Sequence, residues 1–191
     1  MSHHKYRVTR KGAPEEPWHG FLRALDARLT GPVELHCIGG FAMSHHYGVE
    51  GQTSDIDFLD VVPRAPADDL EAIAGLQSGL HRKHHLYIQR IATATAPAGY
   101  ASRLERMFVA AGWKHLSLLA LEAHDLALSK FVRNAERDRD DVRRLAQEGF
   151  LDARTLKTRY EEELRPYLTG NCDWHDKTAQ VWFEMCWPAS S

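Results

Sequence analysis

The chain has 191 residues, 43% of them hydrophobic, which suits one domain with a sizeable core. A formal net charge of −2 argues against a broad basic surface for duplex nucleic acid and leaves room only for a local basic groove. No apolar run approaches membrane-spanning length and the N-terminus lacks the apolar core of a signal peptide, so no membrane association and a cytoplasmic location are expected.

In chain order, residues 1–16 are polar, basic and then Pro-containing, and are expected to be a flexible lead-in. Trp18, Phe21, Leu22, Leu25 and Leu29 recur at helical spacing, predicting a first helix that stops at Gly31-Pro32. Val33 to Ile38 reads as an apolar strand, and Phe41 to Tyr47 as a helix behind the pair Gly39-Gly40. Gly48 to Ser54 is a polar turn into a second strand that ends at Pro63. A helix is predicted over 68–80, a strand over 86–94, a break at Pro97-Ala98-Gly99, and a last strand over 113–121. Helices follow over 125–130, 138–147, 153–168 and 174–187. The cysteines Cys37, Cys172 and Cys186 stand far apart in no paired motif, so neither a disulfide scaffold nor a zinc site is expected, and Cys37 reads as a buried strand residue. His81 and His85 have helical ligand spacing but lack the accompanying Glu, and read as a polar helix end.

The chemistry gathers on the second strand. Side chains alternate along a strand, so Asp55 and Asp57 share a face while Ile56 and Phe58 point to the core. Two carboxylates that close repel unless a proton or a cation joins them, and hard oxygen ligands suit Mg²⁺ or Mn²⁺. Gly39 and Gly40 let the backbone approach a ligand, with Thr53 and Ser54 in the facing turn as further phosphate-binding candidates. A metal beside a phosphate cradle describes phosphoryl or nucleotidyl transfer.

Cys37-Ile38-Gly39-Gly40 followed by Asp55-Ile56-Asp57-Phe58 resembles the signature of the nucleotidyltransferase superfamily with the DNA polymerase beta type of fold. His124-Asp125-Leu126-Ala127-Leu128-Ser129-Lys130, then Arg137-Asp138-Arg139-Asp140-Asp141-Val142, resembles helical motifs of nucleotidyltransferase-like proteins from bacterial toxin–antitoxin and abortive-infection systems. The resemblance spans residues 33 to 145. It implies an α+β fold with a mixed β-sheet flanked by helices over residues 17–148, and the two helical segments after Gly149, with no strand signal, add a helical cap over 149–191. It further implies a metal-dependent enzyme that moves a nucleoside monophosphate from an NTP to an RNA end or a protein hydroxyl. Asp55 and Asp57 would hold the metal, and Asp141 is drawn toward catalysis by the likeness alone. Lys130 reads either as a surface lysine or as a clamp for triphosphate charge, and Asp138 and Asp141 alternatively as a solvated salt-bridged helix face. Expected partners are NTP, RNA or a cognate toxin or antitoxin protein, and a second copy; the aromatic tail at Trp174, Trp182, Phe183 and Trp187 reads by default as core packing or a dimer contact, with base stacking the minority reading.

Two departures from the pattern stand out. Gly51 sits where many relatives carry an Arg, and no clear third carboxylate follows the pair, Glu122 and Glu105 being weak candidates. The alternative is therefore a non-catalytic protein of the same fold acting as an antitoxin, nucleotide sensor or binding partner.

Overall fold

The computed structural model describes residues 12–49, 51–63, 67–92 and 94–188, so most of the expected lead-in lies outside the described residues. The chain forms two compact units. One comprises residues up to 92 together with 104–120, the other 94–103 together with 121–188.

The first unit runs α1 (Trp18–Asp26), β1 (Val33–Cys37), α2 (Gly39–His45), β2 (Asp55–Val62), α3 (Ala67–Ala74), α4 (Gly79–His84), β3 (Tyr87–Arg90), β4 (Glu105–Arg106) and β5 (Leu116–Ala120). Its strands form one mixed sheet in the order β3-β2-β1-β5-β4. β1 is central, antiparallel to β2 and parallel to β5, while β3 runs parallel to β2. Leu35, Cys37, Ile56, Phe58, Leu118 and Ala120 are buried together on one face, as strand alternation demands. Trp18, Phe21, Leu22 and Leu25 of α1 are buried too, and Trp18 meets Phe41 of α2 edge to face at 4.7 Å between ring centres.

Several expectations change. The helix predicted over 68–80 is two helices, because the chain turns at Gly75 to Ser78, where Gln77 takes a left-handed φ of 68° and Ser78 caps α4 by accepting the His81 N–H. β3 is shorter than 86–94, since it pairs only along Asp55–Phe58 of β2. β4 was not foreseen, being a two-residue edge strand too short to show a period.

The last strand begins at Leu116 rather than 113, and Asp26 explains where. Its carboxylate accepts the backbone N–H groups of Lys114 (3.0 Å), His115 (2.7 Å) and Leu116 (2.8 Å), tying the end of α1 to the entry of β5. Burial pushes the Asp26 carboxyl up, but these three donors outweigh it and hold it below its usual range. Asp26→Ala should therefore cost about 2–3 kcal/mol at neutral pH. A group with a depressed folded pKa contributes stability above its unfolded pKa and loses it as pH falls through the folded value. Urea unfolding should accordingly show the gap between wild type and variant closing as pH drops below the normal carboxylate range. A constant gap would refute the assignment.

The second unit is helical among the described residues: α5 (Ala123–Phe131), α6 (Glu136–Gln147), α7 (Ala153–Arg159) and α8 (Cys172–Cys186). After α7 the chain widens into a π turn over Tyr160–Leu164 and tightens into a 3₁₀ turn over Arg165–Tyr167, where one helix over 153–168 was predicted. Phe131 packs against Tyr160 and Trp182 at 5.1 and 5.3 Å between ring centres, and the Trp182 indole N–H donates to Asn134 Oδ1 at 2.9 Å. Trp182 thus serves core packing, one of the two default readings of the aromatic tail.

Candidate functional site

The parallel strands β1 and β5 leave the sheet at Cys37 and Ala120, and β2 and β3 enter it at the same end, at Asp55 and Tyr87. Asp55 and Asp57 are both half-buried there, on the face opposite Ile56 and Phe58. An extra residue in β2 opposite the His36/Cys37 step breaks the alternation, so Asp60 returns to the carboxylate face across from His36.

Asp57 lies directly against the turn from β1 into α2. Its C=O accepts the Ile38 N–H at 2.9 Å, and a Cβ built on Gly39 would come 2.4 Å from Asp57 Oδ2. Gly39 also has φ +68°, a left-handed value that side chains disfavour. Both facts require glycine at this position. Gly40 follows Gly39 in the first turn of α2, and its C=O accepts the Ser44 hydroxyl at 2.9 Å.

Each oxygen of Asp55 accepts a hydroxyl: Oδ1 from Thr53 at 2.5 Å and Oδ2 from Tyr87 at 3.2 Å. Burial, and then the charge of Asp55, push the Tyr87 hydroxyl up, so it stays protonated and donates. Thr53, expected to face phosphate, spends its hydroxyl on the carboxylate, while Ser54 is exposed at the rim. On the adjacent strand β3, Tyr87 stands opposite Asp55 and Gln89 opposite Asp57. The sequence reading missed both residues. Their alternation was visible, but the register that sets them beside the carboxylates was not.

Cys37, on the core face beneath this site, is fully buried as expected, and that burial pushes its thiol up to about 12. His81 accepts the Gln77 N–H through Nδ1 at 3.1 Å, and His85 caps α4 in a left-handed conformation, in keeping with a polar helix end. Among the described residues no three His, Cys, Asp or Glu side chains gather to hold a metal. Glu105, one candidate third carboxylate, is bonded instead to the buried His46 at 2.7 Å.

In the second unit Lys130 is buried, which removes the surface-lysine reading. Its Nζ donates to Asp141 Oδ2 at 2.8 Å and lies 3.8 Å from Asp138 Oδ1. Asp138, fully buried, also accepts Arg133 (2.7 and 2.5 Å) and the Ala135 N–H (3.1 Å). Lys130 and Asp138 are the buried centre of an ion-pair network whose outer partner, Arg133, is exposed. Glu122 takes hydrogen bonds from Arg159, from the His124 ring at 2.8 Å and from the His124 N–H at 3.1 Å. Burial raises its carboxyl, yet the His124 and Arg159 bonds prevail and bring it down to about 2.

A mixed five-stranded sheet with flanking helices, in which a Gly-Gly turn abuts an Asp-x-Asp strand, is a nucleotidyltransferase-like α+β fold. The chain belongs to the family described as nucleotidyltransferase of unknown function (DUF6036), whose model matches residues 23–185. No curated protein and no solved structure matches it. Among the described residues no helix is long and apolar enough to cross a membrane.

Proposed function

We propose that this protein is a metal-dependent nucleotidyltransferase that moves a nucleoside monophosphate from an NTP to an RNA end or a protein hydroxyl. The observation that carries this reading is the packing of Asp57 against Gly39, with Asp55 one alternate position away on the same face. The donor set fits a hard divalent cation. Asp55 is oriented by the hydroxyls of Thr53 and Tyr87, and two carboxylates on one strand face favour a bound cation over mutual repulsion. Asp55 and Asp57 would hold Mg²⁺ or Mn²⁺, which supplies charge neutralisation for the triphosphate and lowers the pKa of a bound hydroxyl.

Thr53 and Tyr87 fix the orientation of Asp55, and the Gly39 turn fixes Asp57. Gly39 and Gly40 at the turn beside Asp57, and Ser54 next to Asp55, are the candidate phosphate contacts, the two glycines offering backbone without a Cβ. In the reaction an acceptor hydroxyl oxygen attacks the α-phosphorus, the bond to the β-phosphate oxygen breaks, pyrophosphate leaves, and the hydroxyl proton passes to a carboxylate of the pair or to water. A cytoplasmic setting in bacterial toxin–antitoxin or defence systems follows from the likeness of the Asp125–Asp141 block. Lys130 and Asp141 are given no step, because each is engaged with the other in the second unit.

A second reading, nucleotide or partner binding without turnover, draws on the phenol and amide that β3 presents beside the pair where a third acid would complete it. One experiment separates them. Each of the four NTPs is titrated calorimetrically with Mg²⁺ into wild type and Asp55→Asn plus Asp57→Asn, followed by incubation with labelled NTP and RNA. Metal-dependent binding and label transfer, both lost by a factor of about a thousand or more in the variant, support the enzyme. Binding without transfer supports the second reading. Mg²⁺-dependent transfer that survives the double substitution sinks the site altogether.

A further inference from the structure

We propose that α4, with Arg28 just past the end of α1, is a docking face for single-stranded RNA; that this RNA is the acceptor rests on the nucleotidyltransferase reading. From His81 to His85 the chain carries an unbroken run of imidazole and cationic side chains, although its net charge is −2. Arg82 and Lys83 are exposed, and among the described residues neither meets a carboxylate; Arg82 donates instead to the Gln77 C=O at 2.6 Å. Arg28 is exposed too, and its Nη1 donates to the Ala24 C=O at 2.6 Å. Packing joins the two segments, since Phe21 of α1 meets the His84 ring at 6.0 Å between centres. Burial, then the charges of Lys83 and Arg28, push the His84 ring down against the pull of Glu16, which is itself held by the Gly20 N–H at 3.0 Å. The field that disfavours a proton there attracts a phosphate.

Placement ties this face to the carboxylates. α4 passes into β3 through His85 and Leu86 alone, and the His81 ring packs edge to face on Tyr87 at 5.4 Å between centres, while Tyr87 donates to Asp55. His81 accepts the Gln77 N–H through Nδ1, so its Nε2 carries the proton and can donate. A strand lying on α4 thus runs to the edge of the Asp55–Asp57 pair. Its chemistry follows from charge and size. A protein hydroxyl brings no charge for these cations to meet, whereas every nucleotide brings a phosphate. The six residues of α4 extend about 9 Å, room for a short stretch of one strand rather than the face of a duplex.

The test uses the full chain and a fluorescent single-stranded RNA oligonucleotide with a free 3′ hydroxyl, first without nucleotide or metal. Anisotropy should show binding that weakens with salt, the logarithm of affinity falling by about 0.7 per decade of salt for each phosphate neutralised. Arg82→Glu and Lys83→Glu should each weaken binding about fivefold or more and flatten that slope by about 0.7 to 1. Lys83 makes no hydrogen bond within α4, so its variant tests the face even if Arg82→Glu loosens the helix. Lys157→Glu, the same change at an exposed lysine of the second unit, should bind RNA as wild type does. No RNA binding, or an equal loss in Lys157→Glu, overturns the proposal. With Mg²⁺ and labelled NTP added, label on the RNA supports it, and label on protein while the RNA stays unlabelled overturns it. Calorimetry with Mg²⁺ and NTP alone reports separately on the enzyme: salt-dependent RNA binding through Lys83 in a chain that takes up no nucleotide refutes the nucleotidyltransferase reading and keeps the docking face.

Discussion

Gly39→Ala should lose Mg²⁺-dependent nucleotide binding by about a hundredfold or more, since displacing a reacting group by an ångström costs on that order. The added methyl meets Asp57 at three atoms: Oδ2 at 2.4 Å, Cβ at 3.1 Å and Cγ at 3.2 Å. The backbone cannot retreat, because Ile38 N–H is bonded to Asp57 C=O and β1 is held on both sides by β2 and β5. The carboxylate must therefore turn away from Asp55. A left-handed φ on a side-chain-bearing residue adds a stability cost of about 1–2 kcal/mol, small enough for the fold to survive. Gly31→Ala is the control, since its Cβ would meet nothing within 4 Å. Calorimetry on the two variants decides the matter. Wild-type affinity in Gly39→Ala would show that Asp57 does not serve the site.

Asp125→Ala should destabilise the protein by about 3–5 kcal/mol, the cost of breaking a buried pair by removing one partner. Asp125 is fully buried and is the acceptor shared by two arginines. Arg103 donates to it through Nε (2.8 Å) and Nη2 (3.0 Å), and Arg159 through Nη1 (3.1 Å). Glu163 and Glu122 hold the outer sides of the same guanidinium groups, so truncation leaves the inner N–H groups of two largely covered arginines without an acceptor. Burial of the Arg103 guanidinium is outweighed by its hydrogen bonds to Asp125 and Glu163, which hold it protonated. Scanning calorimetry should show a fall of roughly 10 °C. A loss under about 1 kcal/mol would mean the arginines reach solvent and the network is a surface feature.

The Asp55–Asp57 alternation, the Gly39-Gly40 turn and the order of most elements were legible in the chain because they are local: a period of two, a period of 3.6, and a residue without Cβ. β4, the split of the 68–80 helix and the late start of β5 were not. β4 and the start of β5 depend on partners distant in sequence, Ala120 for Glu105 and Asp26 for Leu116, while the helix split rests on a left-handed Gln77 that periodicity does not mark. The same holds at the site. That Asp55 and Asp57 share a face follows from two positions in one strand, whereas Tyr87 acts on Asp55 across a parallel register that no spacing encodes.

The sequence by itself therefore determined the class of fold, the family and the carboxylate pair, since these rest on short-range pattern and glycine chemistry. Only the tertiary structure decided what each charge faces. It turned Lys130 from an expected surface or cleft cation into the buried partner of Asp141, made Asp125 the acceptor for two arginines, and gave Thr53 to a carboxylate. A charge's meaning depends on which opposite charge burial brings within hydrogen-bonding distance, and that is set by packing over tens of residues.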